Sequence, residues 1–233
     1  MTRDDYLKTI LGTYSLVSEL SRKNGCRVLR LRNRAVGKDL VLRSFPEPVR
    51  AYEELCGIRC ENLPLIYDVI ELEDGQIVLE EFIEGMTVAE VMETGRYRPS
   101  GARRVLRAVC SALTVLHERD IVHRDVKPEN VMIDRNGRVV LIDLNAARRV
   151  SAAKKDTVVM GTVGYASPEQ LGVTQSDART DLYAVGVMLN VMLTGKHPSE
   201  ELAKGKAGRV VLKCTNVNPD LRYRSAAKLS AAL

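Results

Sequence analysis

The sequence predicts an α+β protein with two lobes, a small one built on an antiparallel sheet and a larger one that is mainly helical. Three observations predict it. From Thr13 to Phe82, short strand-like runs alternate with turn signals. After Gly85 the apolar period becomes that of helices. The chain has 233 residues, 45% of them hydrophobic, enough for one large domain or two small lobes. The small lobe is expected at residues 1–80, a connection at 81–85 and the large lobe at 86–233.

The strand-like runs are TYSLVSEL, CRVLRLRN, KDLVLRSF, LPLIYDVIEL and QIVLEEFI, with KNG, AVG and EDG as turn signals. One short helix is expected between them, from Val49 to Ile58, with Leu55 and Ile58 on a common face. In the second half, TVAEVMETG and SGARRVLRAVCSALTVLHERD carry helical period, the latter with Ser100 as N-cap. NVMID and RVVLID read as a pair of strands. TDLYAVGVMLNVMLTG is apolar nearly all round, so it should be a central buried helix, capped by Thr180 or Asp181 and ended by Gly195. Its length and Asn190 exclude a membrane span.

Composition narrows the function. Net charge is +5, but 30 acidic residues are spread among 35 basic ones, so no stretch reads as a nucleic-acid-binding tail. With no Trp and only Phe45 and Phe82, stacking platforms for single strands are not evident, and no nucleic-acid partner is expected. Asp4 and Asp5 stand where a secretory leader would be basic, and no apolar run reaches about 18 residues, so a cytoplasmic protein without a membrane segment is expected. Five cysteines without a leader are expected to be buried, reduced thiols. Cys56 and Cys60 lie one helical turn apart, but no second Cys/His pair stands at zinc spacing.

Chemistry concentrates in HRDVKPENVM, His123 to Met132. Asp125, Asn130 and, beyond the second strand, Asp143 offer oxygen ligands suited to a hard cation such as Mg²⁺ that keeps waters and phosphates. A polar loop between apolar flanks is a common seat of function.

His123 to Asn130 resembles the catalytic loop of eukaryotic-like (Hanks-type) serine/threonine protein kinases, which occur also in bacteria. In the order that family requires follow Asp143-Leu144-Asn145 in place of Asp-Phe-Gly, GTVGYASPEQ with Ser167-Pro168-Glu169 where Ala-Pro-Glu is usual, Asp181 to Gly186, and Arg222, expected to pair with Glu169. The resemblance implies a bilobal kinase fold that transfers the ATP γ-phosphate to a protein serine or threonine with Mg²⁺. Asp125 would take or orient the hydroxyl proton, Lys127 would neutralise the γ-phosphate, and Asn130 and Asp143 would hold the metal. His123 would pack against Leu144. Thr162 would contact Asp125 and Lys127. Arg124 resembles the arginine of kinases whose activation segment is ordered by phosphorylation, with Ser151 and Thr157 as candidate sites or plain loop residues. Val28 would cover adenine, Val41 would narrow the roof, Met132 would form the floor, and backbone groups of Glu81 and Ile83 would take the adenine edge.

The small lobe departs from the family. Ser21, Lys23 and Cys26 occupy the three positions of the glycine-rich loop, Arg43 that of the third-strand lysine, and Ala51 that of its partner glutamate. Arginine cannot place a point charge as lysine does. Glu80 stands at the gatekeeper position, either pairing with Arg43 in place of the usual pair or pointing to solvent through a register slip. Arg30 either adds a cation beside Val28 or joins Arg32 and Arg34 in a solvated stripe. Arg148, Arg149, Lys154 and Lys155 either attract an acidic substrate or are solvated charge. Three functions follow: an active kinase, a pseudokinase that binds nucleotide or acts as a scaffold, and a small-molecule phosphotransferase. The protein substrate and oligomeric state are not legible.

Overall fold

The computed structural model describes residues 1–149, 162–172 and 176–233. Its chain divides into two compact units, Met1–Cys60 with Pro64–Ile83, and Glu61–Leu63 with Glu84–Leu233.

The first unit comprises α1 (Arg3–Ile10), β1 (Tyr14–Lys23), β2 (Cys26–Asn33), β3 (Asp39–Phe45), α2 (Arg50–Leu55), β4 (Ile66–Leu72) and β5 (Gly75–Glu81). The strands form an antiparallel sheet in the order β1-β2-β3-β5-β4. Strand alternation gives it two chemically different faces. Leu29, Leu31, Leu40, Leu42, Ile77 and Leu79 lie on one and bury against Leu7 and Ile10 of α1. Each such side chain contributes about 1.5–3 kcal/mol when fully buried. Val28, Arg30, Val41, Arg43, Val78 and Glu80 share the other.

Helix α1 has no counterpart among the expected elements. Its signals are a capping box, in which Thr2 Oγ1 accepts from Asp5 N and the Asp5 carboxylate accepts from Thr2 N, and the apolar pair Leu7 and Ile10. Asp4 and Asp5 thus serve a helix N-terminus.

The stretch expected at the glycine-rich loop is a tight hairpin. Ser21 faces Val28 and Lys23 faces Cys26, while Asn24 and Gly25, at φ 49° and 76°, make the two-residue turn that such sequences favour. Helix α2 stops at Leu55, short of the expected Ile58, which is half-buried. It is fastened to β5 by fully buried Gln76, whose side chain accepts from Val49 N at 3.0 Å and donates to Glu53 at 2.8 Å.

The second unit contains β6 (Gly85–Thr87), α3 (Val88–Glu93), α4 (Pro99–His117), β7 (Ile121–Val122), β8 (Val131–Asp134), β9 (Val139–Leu141), β10 (Arg148–Arg149), α5 (Ala178–Thr194), α6 (Gly205–Cys214) and α7 (Ala226–Ala232). Strands β6, β8 and β9 form a small sheet in that order. Residues Glu61–Leu63 join this unit because Asn62 accepts from Leu141 N through its carbonyl and donates to Val139 O through its amide.

Two caps differ from expectation. Arg98 caps α4 and Pro99 occupies its first position, where the missing N–H costs nothing, so Ser100 is already inside the helix. Helix α5 starts at Asp177, whose side chain accepts from Arg179 N, and this leaves Thr180 and Asp181 buried within its first turns. Gly195 ends it at φ 76°. Asn190 is buried and holds the following loop, donating to Lys196 O and Glu201 O and accepting from Ala203 N. Among the described residues no helix is long and apolar enough to cross a membrane. None of the five cysteines forms a disulfide, but only Cys110 and Cys214 are buried; Cys56 is exposed and Cys26 and Cys60 are half-buried, contrary to the expectation for them.

Candidate active site

The charged loop connects β7 to β8 and is held from beneath by Asp181 of α5, which is 1% exposed. Asp181 Oδ2 accepts from His123 N at 2.9 Å and Oδ1 from Arg124 N at 2.8 Å, while His117 Nε2 lies 2.8 Å from Oδ2. These bonds stabilise Arg124 at φ 68°, a left-handed conformation that costs a non-glycine residue about 1–2 kcal/mol. Gln170 adds a donor to Arg124 O at 2.7 Å.

Fully buried His123 accepts from Asp125 N through Nδ1, which assigns its proton to Nε2 and makes Nε2 the donor to Ile142 O at 3.1 Å. Its role is therefore to tie the loop to the strand that leads to Asp143.

The Asp125 carboxylate is the centre of the site. Thr162 Oγ1 donates to its Oδ1 at 2.7 Å, and Lys127 Nζ and Asn130 Nδ2 stand 2.8 Å and 2.9 Å from its Oδ2. Lys127 also donates to Thr162 Oγ1 at 2.5 Å. Burial pushes the Asp125 pKa up, but the hydrogen bonds from Lys127 and Thr162 outweigh it and hold the group below its ordinary value. Asp125 is thus an ionised acceptor already aligned with a hydroxyl and flanked by an ammonium.

Asn130 donates to both Asp125 O and Asp125 Oδ2, which leaves its side-chain oxygen as an acceptor. Its own carbonyl accepts from Ile142 N at 2.9 Å, and Val131 pairs with Leu141, so β8 and β9 bring Asn130 near Asp143. Asp143 sits at φ 68° with Oδ1 accepting from Asn145 N. Among the described residues no three His, Cys, Asp or Glu side chains cluster as a metal site. Two side-chain oxygens suit a cation such as Mg²⁺, which takes its other ligands from water and phosphate.

Beyond the site, the Ser-Pro-Glu segment is pinned by Glu169, which receives Arg222 through both carboxylate oxygens and Thr180 Oγ1 at 3.0 Å. Ser151 and Thr157, the candidate phosphorylation sites, and Lys154 and Lys155 lie outside the described residues.

In the first unit, Arg43 Nε donates to Glu80 Oε1 at 2.6 Å, with Arg43 6% and Glu80 4% exposed. Register explains the meeting: Val41 faces Glu80 and Arg43 faces Val78, so the charged pair is diagonal on one face. Glu80 therefore does not point to solvent. Val41 is buried between Arg30 and Glu80, Val28 and Met132 are half-buried, and Ile83 is buried. Glu81 spends its N–H on Leu65 O and accepts from Leu65 N through its side chain.

Of the expected solvated stripe, Arg32 and Arg34 are exposed and Arg30 is half-buried. Arg30 and Arg32 both donate to Asp39, whose pKa is lowered to about 2 chiefly by the hydrogen bond from Arg32, and Arg30 also stacks on Phe82 at 4.1 Å. Asp181 and Gln170 lie in motifs read from the sequence, but their support of the loop, like that of His117, was not assigned there. Their partners lie far along the chain, and the one local signal was a carboxylate inside an otherwise apolar helix.

Comparison with known proteins agrees with this geometry. The family model of the protein kinase domain matches residues 46–231, beginning just past β3. The chain is 32% identical over 72% of its length to serine/threonine-protein kinase PknB of Mycolicibacterium smegmatis, covering 32% of that relative. It is 31% identical over 73% of its length to serine/threonine-protein kinase PrkC of Bacillus subtilis, covering 30% of it. For serine/threonine-protein kinase PknL of Mycobacterium tuberculosis the identity is 37% over 71% of the chain and 42% of the relative. The chain thus spans well under half the length of these relatives. With most of its length matched and the catalytic-loop network in place, this chain belongs to the protein kinase domain family.

Proposed function

We propose that the protein is an ATP-dependent serine/threonine protein kinase that works with Mg²⁺. The observation that carries this reading is the Asp125 carboxylate, which receives a threonine hydroxyl at 2.7 Å while Lys127 stands beside both groups. The names of the relatives, all serine/threonine-protein kinases, support it.

An incoming serine or threonine oxygen attacks the γ-phosphorus as the bond to the β–γ bridging oxygen breaks. Asp125 orients that hydroxyl and takes its proton, and ADP leaves with the bridging oxygen. Lys127 offsets charge on the transferred group, because phosphoryl transfer depends mainly on positioning and electrostatic stabilisation. Asn130 and Asp143 would hold Mg²⁺, which would supply positive charge to the phosphates there. In the first unit Val28 and Val41 cover adenine, the Glu81 carbonyl and the Ile83 backbone take its edge, and Arg43 meets the phosphates; in the second unit Met132 stands at the family's adenine-floor position. A cytoplasmic reaction fits ATP as the donor.

The test is incubation with MgATP and a generic protein substrate, followed by mass spectrometry. Phosphoserine or phosphothreonine that requires both Mg²⁺ and Asp125 is expected. Nucleotide binding without transfer would instead indicate a pseudokinase, and transfer only to small hydroxylated molecules a different phosphotransferase.

A further inference from the structure

We infer that Glu80 is a positioning residue that sets the Arg43 guanidinium from within the sheet, so that the phosphate-side cation does not depend on where α2 stands. The inference rests on the kinase reading and deepens it. Kinase sites need a cation held by an acid, and where that acid rides on a helix, helix position controls activity. Here the acid and the cation lie on neighbouring strands, β5 and β3. Their geometry is fixed by the ladder from Leu40↔Glu81 to Phe45↔Gln76. The backbone that carries this carboxylate cannot shift relative to Arg43 without unpairing the sheet.

Helix α2 has been given other work. The position expected for its glutamate is Ala51, which is 2% exposed. Glu53 and Glu54 are exposed, whereas Arg43 is buried, and Glu53 accepts from Gln76. Gln76 fixes the helix at two points, Val49 N and Glu53. The six-residue helix is thereby a strap on the end of β5, and the cation is set two residue pairs along the ladder from Gln76.

The chemistry of the pair fits this role. Guanidinium is planar and binds a carboxylate through one edge while other N–H groups remain directional donors. Glu80 therefore fixes the direction of the Arg43 donors as well as the position of their charge. Burial makes the pair expensive to assemble, and such pairs are better explained by what they orient than by net stability.

The experiment is steady-state kinetics with MgATP varied, together with thermal melts, on wild type, Glu80→Gln, Glu53→Gln and the charge exchange Arg43→Glu with Glu80→Arg. Glu80→Gln is expected to raise KM for ATP about tenfold or more, with a smaller effect on kcat, as for loss of a charge-assisted bond. Glu53→Gln is expected to leave both constants within about twofold. The exchange is expected to melt closer to wild type than Glu80→Gln does while keeping the raised KM, which a purely structural pair would not do. Equal effects of Glu53→Gln and Glu80→Gln, or an exchange variant with the wild-type KM, would overturn the inference. So would failure of both Glu80 variants to fold, because the pair would then be a folding element. If wild type neither binds MgATP nor transfers phosphate, the kinase reading itself falls and this inference falls with it.

Discussion

Glu169 and Arg222, 53 positions apart, form a buried two-point ion pair with N···O distances of 2.6 and 2.9 Å. It ties the segment after Thr162 to the loop beyond α6, and Arg222 also donates to Asn216 O at 2.7 Å. Bidentate geometry with further hydrogen bonds is what allows such a pair to offset its desolvation. Arg222→Leu strands the carboxylate, and a loss of about 3–5 kcal/mol is expected, or roughly 6–20 °C in Tm. Differential scanning calorimetry checks it; a shift below about 2 °C would contradict it.

The same pair predicts an acid response. Burial raises the Glu169 pKa, but the hydrogen bonds from Arg222, the backbone and Thr180, together with the Arg222 charge, outweigh it, and the folded value lies below the ordinary one. A carboxylate depressed on folding contributes stability that is present above its unfolded pKa of about 4.3 and is lost as pH falls through the folded value. Melts of wild type should therefore fall with pH below about 4.3, and Glu169→Gln should show a weaker fall over that window.

Asp181 holds the catalytic loop by accepting from His123 N and Arg124 N. Asp181→Ala leaves two buried donors unpaired, at about 1–3 kcal/mol each, and releases Arg124 from its left-handed conformation. The expected outcome is a protein that melts lower, with kcat reduced by at least tenfold and KM for ATP less affected. A variant with lowered Tm but wild-type kcat at a temperature where it is folded would remove the loop-anchoring role.

Lys127→Ala should reduce kcat by about 10²–10³-fold, the effect of deleting one preorganised charge donor. It should also alter the pH profile. With Lys127 present, Asp125 is ionised below the ordinary carboxylate range, so kcat/KM should show no Asp125 inflection from pH 5 to 8. Without Lys127, the opposing effect of burial gains weight and the acid limb should move to higher pH. Residual activity measured between pH 4 and 8 reads the shift.

Close packing supplies a further test. A Cβ on Gly186 would stand 2.2 Å from Cys214 Cβ, so α5 and α6 meet where glycine leaves room. Gly186→Ala is expected to destabilise by about 1–3 kcal/mol through overpacking. The pair Gly186→Ala with Cys214→Gly should recover part of that loss in a urea titration.

The candidate loop was legible because the proposed phosphoryl transfer needs several charged groups in fixed spacing, and Asp125, Lys127 and Asn130 lie within one short run. The Glu80–Arg43 contact was legible only as one of two alternatives, since a one-residue slip in strand register exchanges the faces of a sheet. Its resolution came from the ladder that sets Val41 against Glu80. Helix α1 was missed because its eight residues carry few apolar positions, and Leu7 and Ile10 gain meaning only against the leucine face of the sheet. The start of α5 was misplaced because Asp177, Thr180 and Asp181 all have capping side chains within one turn. Tertiary contacts then assigned the first to the cap, the second to Glu169 and the third to the catalytic loop.

The central claim is that Asp125 serves phosphoryl transfer to a protein hydroxyl. Its most direct test is intact-mass and phosphopeptide spectrometry of wild type and Asp125→Asn after incubation with MgATP and a protein substrate. Serine or threonine phosphate that appears with wild type and is reduced by at least 10²-fold with Asp125→Asn is the result expected for a residue acting on the transferred proton. Equal phosphate incorporation by both proteins would contradict it.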